Sequence, residues 1–544
     1  MIRKAERSTL TCLVVLRGKP YLLSVCLLVL MVPGSAASQA KGPFVVNEVK
    51  HDVSAPLREL AEPIPPTNHF VEMKDHEEFG SPKLSFHVFP GPDPVLQFDG
   101  DIGHELRVTQ GFNFDGMNAV QAGYPSRPDT NGSVGDKQFV MITNNAYSVY
   151  DKTSGKKTLG PIFNNSIWRG FGGQCEEIPG FDPVVLYDKL ANRWFVEQLE
   201  NSSSFEACIA VSTTDDATSA YNRYAYTSAV GTSRDYPKVG IWPDAYYISF
   251  ATLSKNTLFG QPCAIDRTSM LAGKTANMIC FDIGATHVYF LPSDLDGSTL
   301  PPKGAPNHFV EMGPSNNMTL SEFEFHVDFV HPKKSTFKGP NTITVPLYTP
   351  VCGAVGCIPQ PNPGSLLWAL GDRLMFRNAY RNFGEHESMV FSHAVAAGGD
   401  SKAVSAERWY ELRATPSGSA FKLYQAGTFQ NKKDNYWMGS MAMDKDGNIA
   451  LGFSVDNSTN LDPSIWYTGR VPTDPLGKME ASKSAVKGTY AKTGGNNNAG
   501  WGDYSSMSVD PTDDCTFWYS QEYGKNPGYN WQTHVVSFKF NSCQ

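Results

Sequence analysis

Three short segments set carboxylates, a lysine and aromatic rings side by side: Asp235-Tyr236-Pro237-Lys238, Tyr436-Trp437-Met438-Gly439 and Trp501-Gly502-Asp503-Tyr504. A sugar-binding surface needs this mixture, flat apolar faces against the ring and polar atoms against its hydroxyls. The same residues also suit packing between sheets, with Asp503 capping a turn. Cleaving a glycosidic bond asks for more, two carboxylates about 5 to 9 Å apart. Asp235, Asp503 and Glu322 are the candidates for that pair. The expected binding residues are Trp501, Asp503, Tyr504, Asp235, Tyr236, Lys238 and Trp437, with Arg373 and Arg377. In Gly371–Phe383 the arginines 373, 377 and 381 stand four apart. On a strand even offsets share a face, so such a row could grip carboxylates or sulfates. Ion pairs with Glu385 or Glu387 are the structural reading of the row, and the favoured one.

Other motifs are weaker. His326 and His386 have side chains that titrate near neutrality, but lone histidines are more often structural. The chain carries no Gly-x-Ser-x-Gly, His-Glu-x-x-His or phosphate loop. Asp444-Lys445-Asp446-Gly447-Asn448 opens like a calcium loop but lacks the downstream Glu, and reads as a hairpin turn. No cofactor and no metal are expected.

The elements that must position these segments are short hairpins. Gly500 to Ser520 reads as strand 505–509, a turn at Asp510 to Asp514, and an aromatic strand from Thr516. Trp437 to Ser454 repeats it, with Ser440 to Asp444 superposing on Ser506 to Asp510. Looser copies are Asp182 to Glu197, turning at Asp188, and Lys238 to Phe250, turning at Asp244. The first unit, after the turn cluster Asp129-Thr130-Asn131-Gly132, spans 135–151. Others follow over 182–226, 235–283, 288–344, 370–412, 427–470 and 501–540, roughly 45 to 65 residues apart. Glu322 to Phe329 alternates as a strand buried on one face should. Units of this size suit four-stranded blades, and a closed ring of blades leaves no exposed edge. The predicted fold is therefore all-β, a seven-bladed β-propeller, with six or eight blades the nearest alternatives and two β-sandwiches the runner-up. The lead-in to each blade's first strand would then surround the mouth of a central channel.

The chain resembles sialidase-type propellers in general form. Their Asp-box has its nearest match in Ser508 to Trp518, which is longer and lacks the Gly. A sialidase's three carboxylate-binding arginines come from different blades. The arginines here cluster in one, so that role does not transfer. The chain resembles more closely a family of exported bacterial proteins of uncharacterised function. They share the phrases Asp129 to Gly135, Asp235 to Lys238, Ala379 to Phe383 and Trp501 to Met507. The resemblance covers most of 115–543 and implies an exported bacterial propeller without an activity.

Export also follows from the first forty residues. Arg3, Lys4, Arg7, Arg17 and Lys19 precede the apolar run Tyr21 to Val32, and small residues follow as a cleavage site. Without this leader the 46 basic and 54 acidic residues fall to 41 and 53. That acidic balance argues against nucleic acid or an anionic membrane as partner, and no later segment reads as a membrane span. Eight cysteines remain, and nearest-neighbour pairing gives Cys175–Cys208, Cys263–Cys280, Cys352–Cys357 and Cys515–Cys543. The expected organisation is a signal peptide over 1–40, an extended Pro-rich arm over 41–95 lying outside the blades, and the propeller over 96–544. Two function classes stay open. One is a secreted or periplasmic propeller binding a glycan or protein at the channel mouth. The other is a glycoside hydrolase using paired carboxylates.

Overall fold

Asp510 shows why the turns recur. In the computed structural model its carboxylate accepts the Thr512 amide at 2.9 Å, closing the turn between Ser506–Val509 and Thr516–Tyr523. Asp444 accepts the amides of Asp446 and Asn448 at 3.0 and 2.9 Å. Asp188 accepts those of Leu190 and Ala191 at 3.1 and 3.2 Å. A short side-chain carboxylate thus satisfies the amides that a tight turn leaves bare. Residues 40–544 are described except 66–90, 92, 124–125, 201–205, 314–316, 353–355, 362–363, 399–403, 417, 494–497 and 527–529. The leader, up to residue 39, and residues 66–90 and 92 of the Pro-rich arm lie outside the described residues.

The chain is all-β. Successive antiparallel sheets run from Asn131–Val134 to Lys157–Phe163, from Phe181–Asp188 to Tyr221–Tyr226, and from Thr232–Ile241 to Met278–Asp282. They continue from Leu291–Leu295 to Thr336–Thr344, from Asn378–Asn382 to Lys422–Gln430, from Asn435–Met443 to Lys483–Val486, and from Ser506–Val509 to Gln532–Phe540. Each sheet's first strand lies beside the first strand of the next, and Ser506–Val509 returns to Asn131–Val134. This closed row is the inner wall of a β-propeller.

The inner strands splay apart, so their amides need other partners. Leu291–Leu295 and Asn378–Asn382 pair directly, in parallel. Elsewhere side chains bridge. Asn131 Oδ1 accepts the Val185 amide at 3.0 Å, and Ser133 Oγ that of Tyr187 at 3.2 Å. Asp294 Oδ1 accepts from Ile241 at 3.0 Å. Ser440 Oγ accepts from Met507 at 3.0 Å and Ser506 Oγ from Gly132 at 2.7 Å. The two serines that superpose in sequence therefore do the same task in neighbouring sheets.

Neighbouring sheets cover both faces of each blade, which explains strands buried along their whole length, such as Ile449–Asn457. It also corrects one expectation. Glu322 lies on Thr319–His326, but it is only 2% exposed and does not face solvent. The units predicted over 370–412 and 427–470 are displaced. Gly427 belongs to the outer strand Lys422–Gln430 of the earlier sheet, because inner and outer strands share one composition.

The N-terminal region departs most. Lys41–Val46 pairs with Met278–Asp282, and Lys50–Val53 with Tyr221–Tyr226. These residues of the arm thus add outer strands to two sheets. Leu96–Phe98 pairs in parallel with Lys422–Gln430. Val108–Asn118 completes the last sheet beside Gln532–Phe540, so segments more than 400 residues apart share one sheet. All four expected disulfides are present. Among the described residues no helix is long and apolar enough to cross a membrane.

Candidate functional site

The lead-in segments converge at one end of the inner wall. Tyr236 and Tyr504 lie 5.4 Å apart by ring centroid. The Lys238 ammonium sits between them, 3.2 Å from the Tyr236 centroid and 3.7 Å from that of Tyr504, and donates to the Pro237 carbonyl at 2.9 Å. Arg373 lies over Tyr236 and Tyr289, 4.6 and 3.9 Å from their centroids, and pairs with Asp372 at 2.9 Å. Burial pushes the Lys238 ammonium down to about 7, against the opposing pull of Asp182 and Asp503.

Beside this cation–aromatic layer lie carboxylates from three sheets. Asp129 Oδ1 accepts the Asp503 amide at 2.7 Å, and its Oδ2 accepts the Asn144 amide nitrogen at 2.6 Å. Asn144 Oδ1 in turn accepts the backbone amide of Asp182 at 2.8 Å, and Asp182 Oδ2 accepts that of Tyr236 at 3.0 Å. Arg127 reaches Asp503 at 3.2 Å. Asp129 and Asp182 both hold left-handed φ values, 45° and 50°, which Asp tolerates better than most residues. Sequence reasoning read Asp129 as part of a turn cluster and Asp182 as the start of a hairpin, and neither as a site residue. The available signal was that Asp129, Asp182 and Asp503 stand at or just before the start of an inner strand, and Asp235 just before the bulge in Thr232–Ile241.

An insertion roofs this end. Its small sheet joins Gly356–Ile358, Leu366–Trp368 and Asn498–Ala499, and the Cys352–Cys357 bridge staples it. Leu367, Leu370 and Met375 pack on Tyr236, Trp437, Met438, Trp501 and Tyr504 in one apolar cluster. The Trp437 and Trp501 rings meet at 5.5 Å and are fully buried, and Trp501 donates to Ser454 Oγ at 3.1 Å. Both indoles act here as packing between sheets and cap. What stays partly open is Asp235, Tyr289, Trp368 and Arg127. The Arg127 guanidinium lies 4.7 Å from the Trp368 ring centroid.

The remaining predicted residues lie apart. Glu322 is on the third strand of its sheet and pairs with His308 at 2.7 Å. The three arginines do not share a strand face, because Arg373 and Arg377 precede Asn378–Asn382. The ion pairs shown for Arg377 and Arg381 are with aspartates and not with Glu385 or Glu387. Arg377 pairs with Asp294 at 2.7 Å and Asp296 at 2.8 Å, and donates to the Met507 carbonyl at 3.2 Å. Arg381 holds Asp514 at 2.6 Å. Arg377 thus bridges inner strands further along the channel, beside a cavity of about 20 Å3 that has room for roughly one water. His386 stacks on Phe383 at 4.9 Å, and His326 sits at an exposed strand end.

No protein-family model matches the chain, and no curated protein does. Solved structures give distant likenesses. A GH93 α-L-arabinofuranosidase of Fusarium graminearum, in complex with arabinobiose, is 9% identical with a TM-score of 0.34, over 80% of this chain and 99% of that one. The WD40 domain of SCAP from fission yeast is 9% identical with a TM-score of 0.32, over 75% and 82%. An endo-arabinase of Bacteroides thetaiotaomicron is 11% identical with a TM-score of 0.28, over 65% and 92%. Likeness at this level says nothing about the chemistry of the site.

Proposed function

We propose that this chain is an exported, seven-bladed propeller that binds a glycan or protein outside the cytoplasm, on the roofed end of its channel. The recognition surface is formed by Asp235, Arg127, Tyr289 and Trp368. The observation that carries this reading is the convergence of lead-ins from four inner strands under a disulfide-stapled roof, with those four side chains at its margin. A carboxylate, a guanidinium and two aromatic rings can meet hydroxyls or a peptide at once. The four disulfides suit an oxidising compartment.

Hydrolysis is the second reading, and burial weighs against it. Asp129, Asp182 and Asp503 are 1%, 5% and 3% exposed, and of these lead-in carboxylates only Asp235 is partly open. A glycosidase needs two carboxyl groups that reach the same sugar. The test is a glycan array and a pull-down against extracellular protein, using the secreted chain. On any ligand retained, Trp368→Ala and Asp235→Asn should each weaken binding about tenfold, the scale of a lost aromatic or polar contact, without lowering the melting temperature. Binding unchanged in both variants overturns the site. Release of shorter glycans, abolished by Asp235→Asn, favours the hydrolase.

A further inference from the structure

We propose that Asp129, Asp182 and Asp503 together hold one hard divalent cation of the calcium class. Carboxylate oxygens of the three lie within 4.8 Å of one another. A calcium ion sits about 2.3 to 2.6 Å from each oxygen ligand, so ligands around one ion stand at most about 5 Å apart. The donors are all oxygen, the set that selects calcium or magnesium over softer metals. They are also held in place: Asn144 joins Asp129 to Asp182, the Asp503 amide fixes Asp129, and the Tyr236 amide fixes Asp182.

Charge calls for a cation there. Three buried carboxylates from separate sheets meet with Arg127 bound to one of them. The Lys238 ammonium feels Asp182 and Asp503 but lies against the tyrosine rings and donates to the Pro237 carbonyl, so it bonds none of the three. A second, independent feature points to a ligand. The Tyr504 hydroxyl is buried without a hydrogen-bond partner in a residue 1% exposed. The charges acting on it are those of Asp182, Asp129 and Asp503. A buried phenol within electrostatic reach of three carboxylates, and bonded to none of them, is placed to bond a water on the ion. Calcium takes 6 to 8 oxygens, so such waters belong to the site.

The other clusters are already partnered. Arg107 pairs with Asp474 and Glu480 beside His104, the sulfurs beside Glu206 are joined in the Cys175–Cys208 disulfide, and in the group of His308, Glu322 and Glu324 the His308 imidazole bonds Glu322 at 2.7 Å. The cation would tie the first, second and last sheets together where the ring closes. The inference stands apart from the ligand-binding reading, because Asp235 and Trp368 are not among the cation's ligands.

The experiment uses the secreted chain stripped with EDTA. Calorimetric titration with CaCl2 should give one equivalent bound, and calcium should raise the melting temperature. Magnesium should do so more weakly, because it demands a tighter octahedron. Terbium bound in its place should luminesce on tyrosine excitation, and Tyr504→Phe should diminish that signal. Asp182→Asn and Asp129→Asn keep the shape and should abolish the calcium-dependent shift. No heat and no thermal shift for the wild type at millimolar calcium overturns the proposal even if both variants misfold. Undiminished stoichiometric binding by a folded Asp182→Asn variant overturns it equally.

Discussion

Glu407 shows how much a single buried group can reveal. It is fully enclosed, and a Cβ on Gly439 would fall 2.5 Å from its Oε2 and 2.6 Å from Ser392 Oγ. Burial pushes its carboxyl up to about 8. The folded protein therefore keeps a proton that the unfolded chain releases near its ordinary value, so stability falls as pH rises from about 4.5 to 8. Glu407→Gln removes this dependence and should stabilise the protein at pH 8, on the order of 1 to 3 kcal/mol. Urea midpoints at pH 5 and pH 8 check it, and equal slopes in wild type and variant would sink it. Trp501 is the second residue-scale case. Its indole is packing under the roof, so Trp501→Ala should cost roughly 3 to 5 kcal/mol of stability. A variant that keeps its melting temperature would contradict that role.

At the scale of elements, the outer strands and staples carry the predictions. Asp93 lies just before Leu96–Phe98 and is paired at 2.6 Å with Arg408, which is fully buried. Asp93→Ala leaves that guanidinium without its carboxylate, though still bonded to Thr428 and two carbonyls, and should destabilise by roughly 3 to 5 kcal/mol, read as a lowered denaturant midpoint. A fragment beginning at residue 96 loses the same partner along with the strands Lys41–Val46 and Lys50–Val53. It should therefore be less stable than the full chain. Cys515–Cys543 ties the last hairpin's turn to the chain's end across 28 residues. Replacing both cysteines by serine should cost about 3 to 4 kcal/mol by the loop-entropy estimate, and denatured, unreduced wild type should show no reactive thiol.

For the whole molecule, closure is the decisive feature. Val108–Asn118 supplies the outer strand of the sheet that the C-terminus begins, so the ring is shut by a contact between distant parts of the chain. Deleting 108–118 opens an edge beside Gln532–Phe540 and should replace one cooperative unfolding transition by a broad or split one. Calorimetry decides it, and a single sharp transition at the wild-type temperature would refute the role given to that strand.

The sequence alone determined what is local. Asp-centred turns, short aromatic strands and their regular return made the repeating hairpins legible, and nearest-neighbour spacing made the disulfides legible, because each depends on residues close along the chain. It also brought Asp235, Tyr236, Lys238, Asp503 and Tyr504 into one candidate site, since each stands at the start of a repeat. It did not show that Lys41–Val46 or Val108–Asn118 enters a sheet, because an outer strand takes its partner from hundreds of residues away and its own pattern names none. It placed Trp437 and Trp501 as binding faces, whereas an insertion folding back over them makes them core. Asp503 was named from its place in a lead-in, but its meeting with Asp129 and Asp182 was not legible, because the three are remote along the chain. Only closure of the ring brings their oxygens within reach of one ion, because a metal or ligand responds to distance in space and not to spacing in sequence.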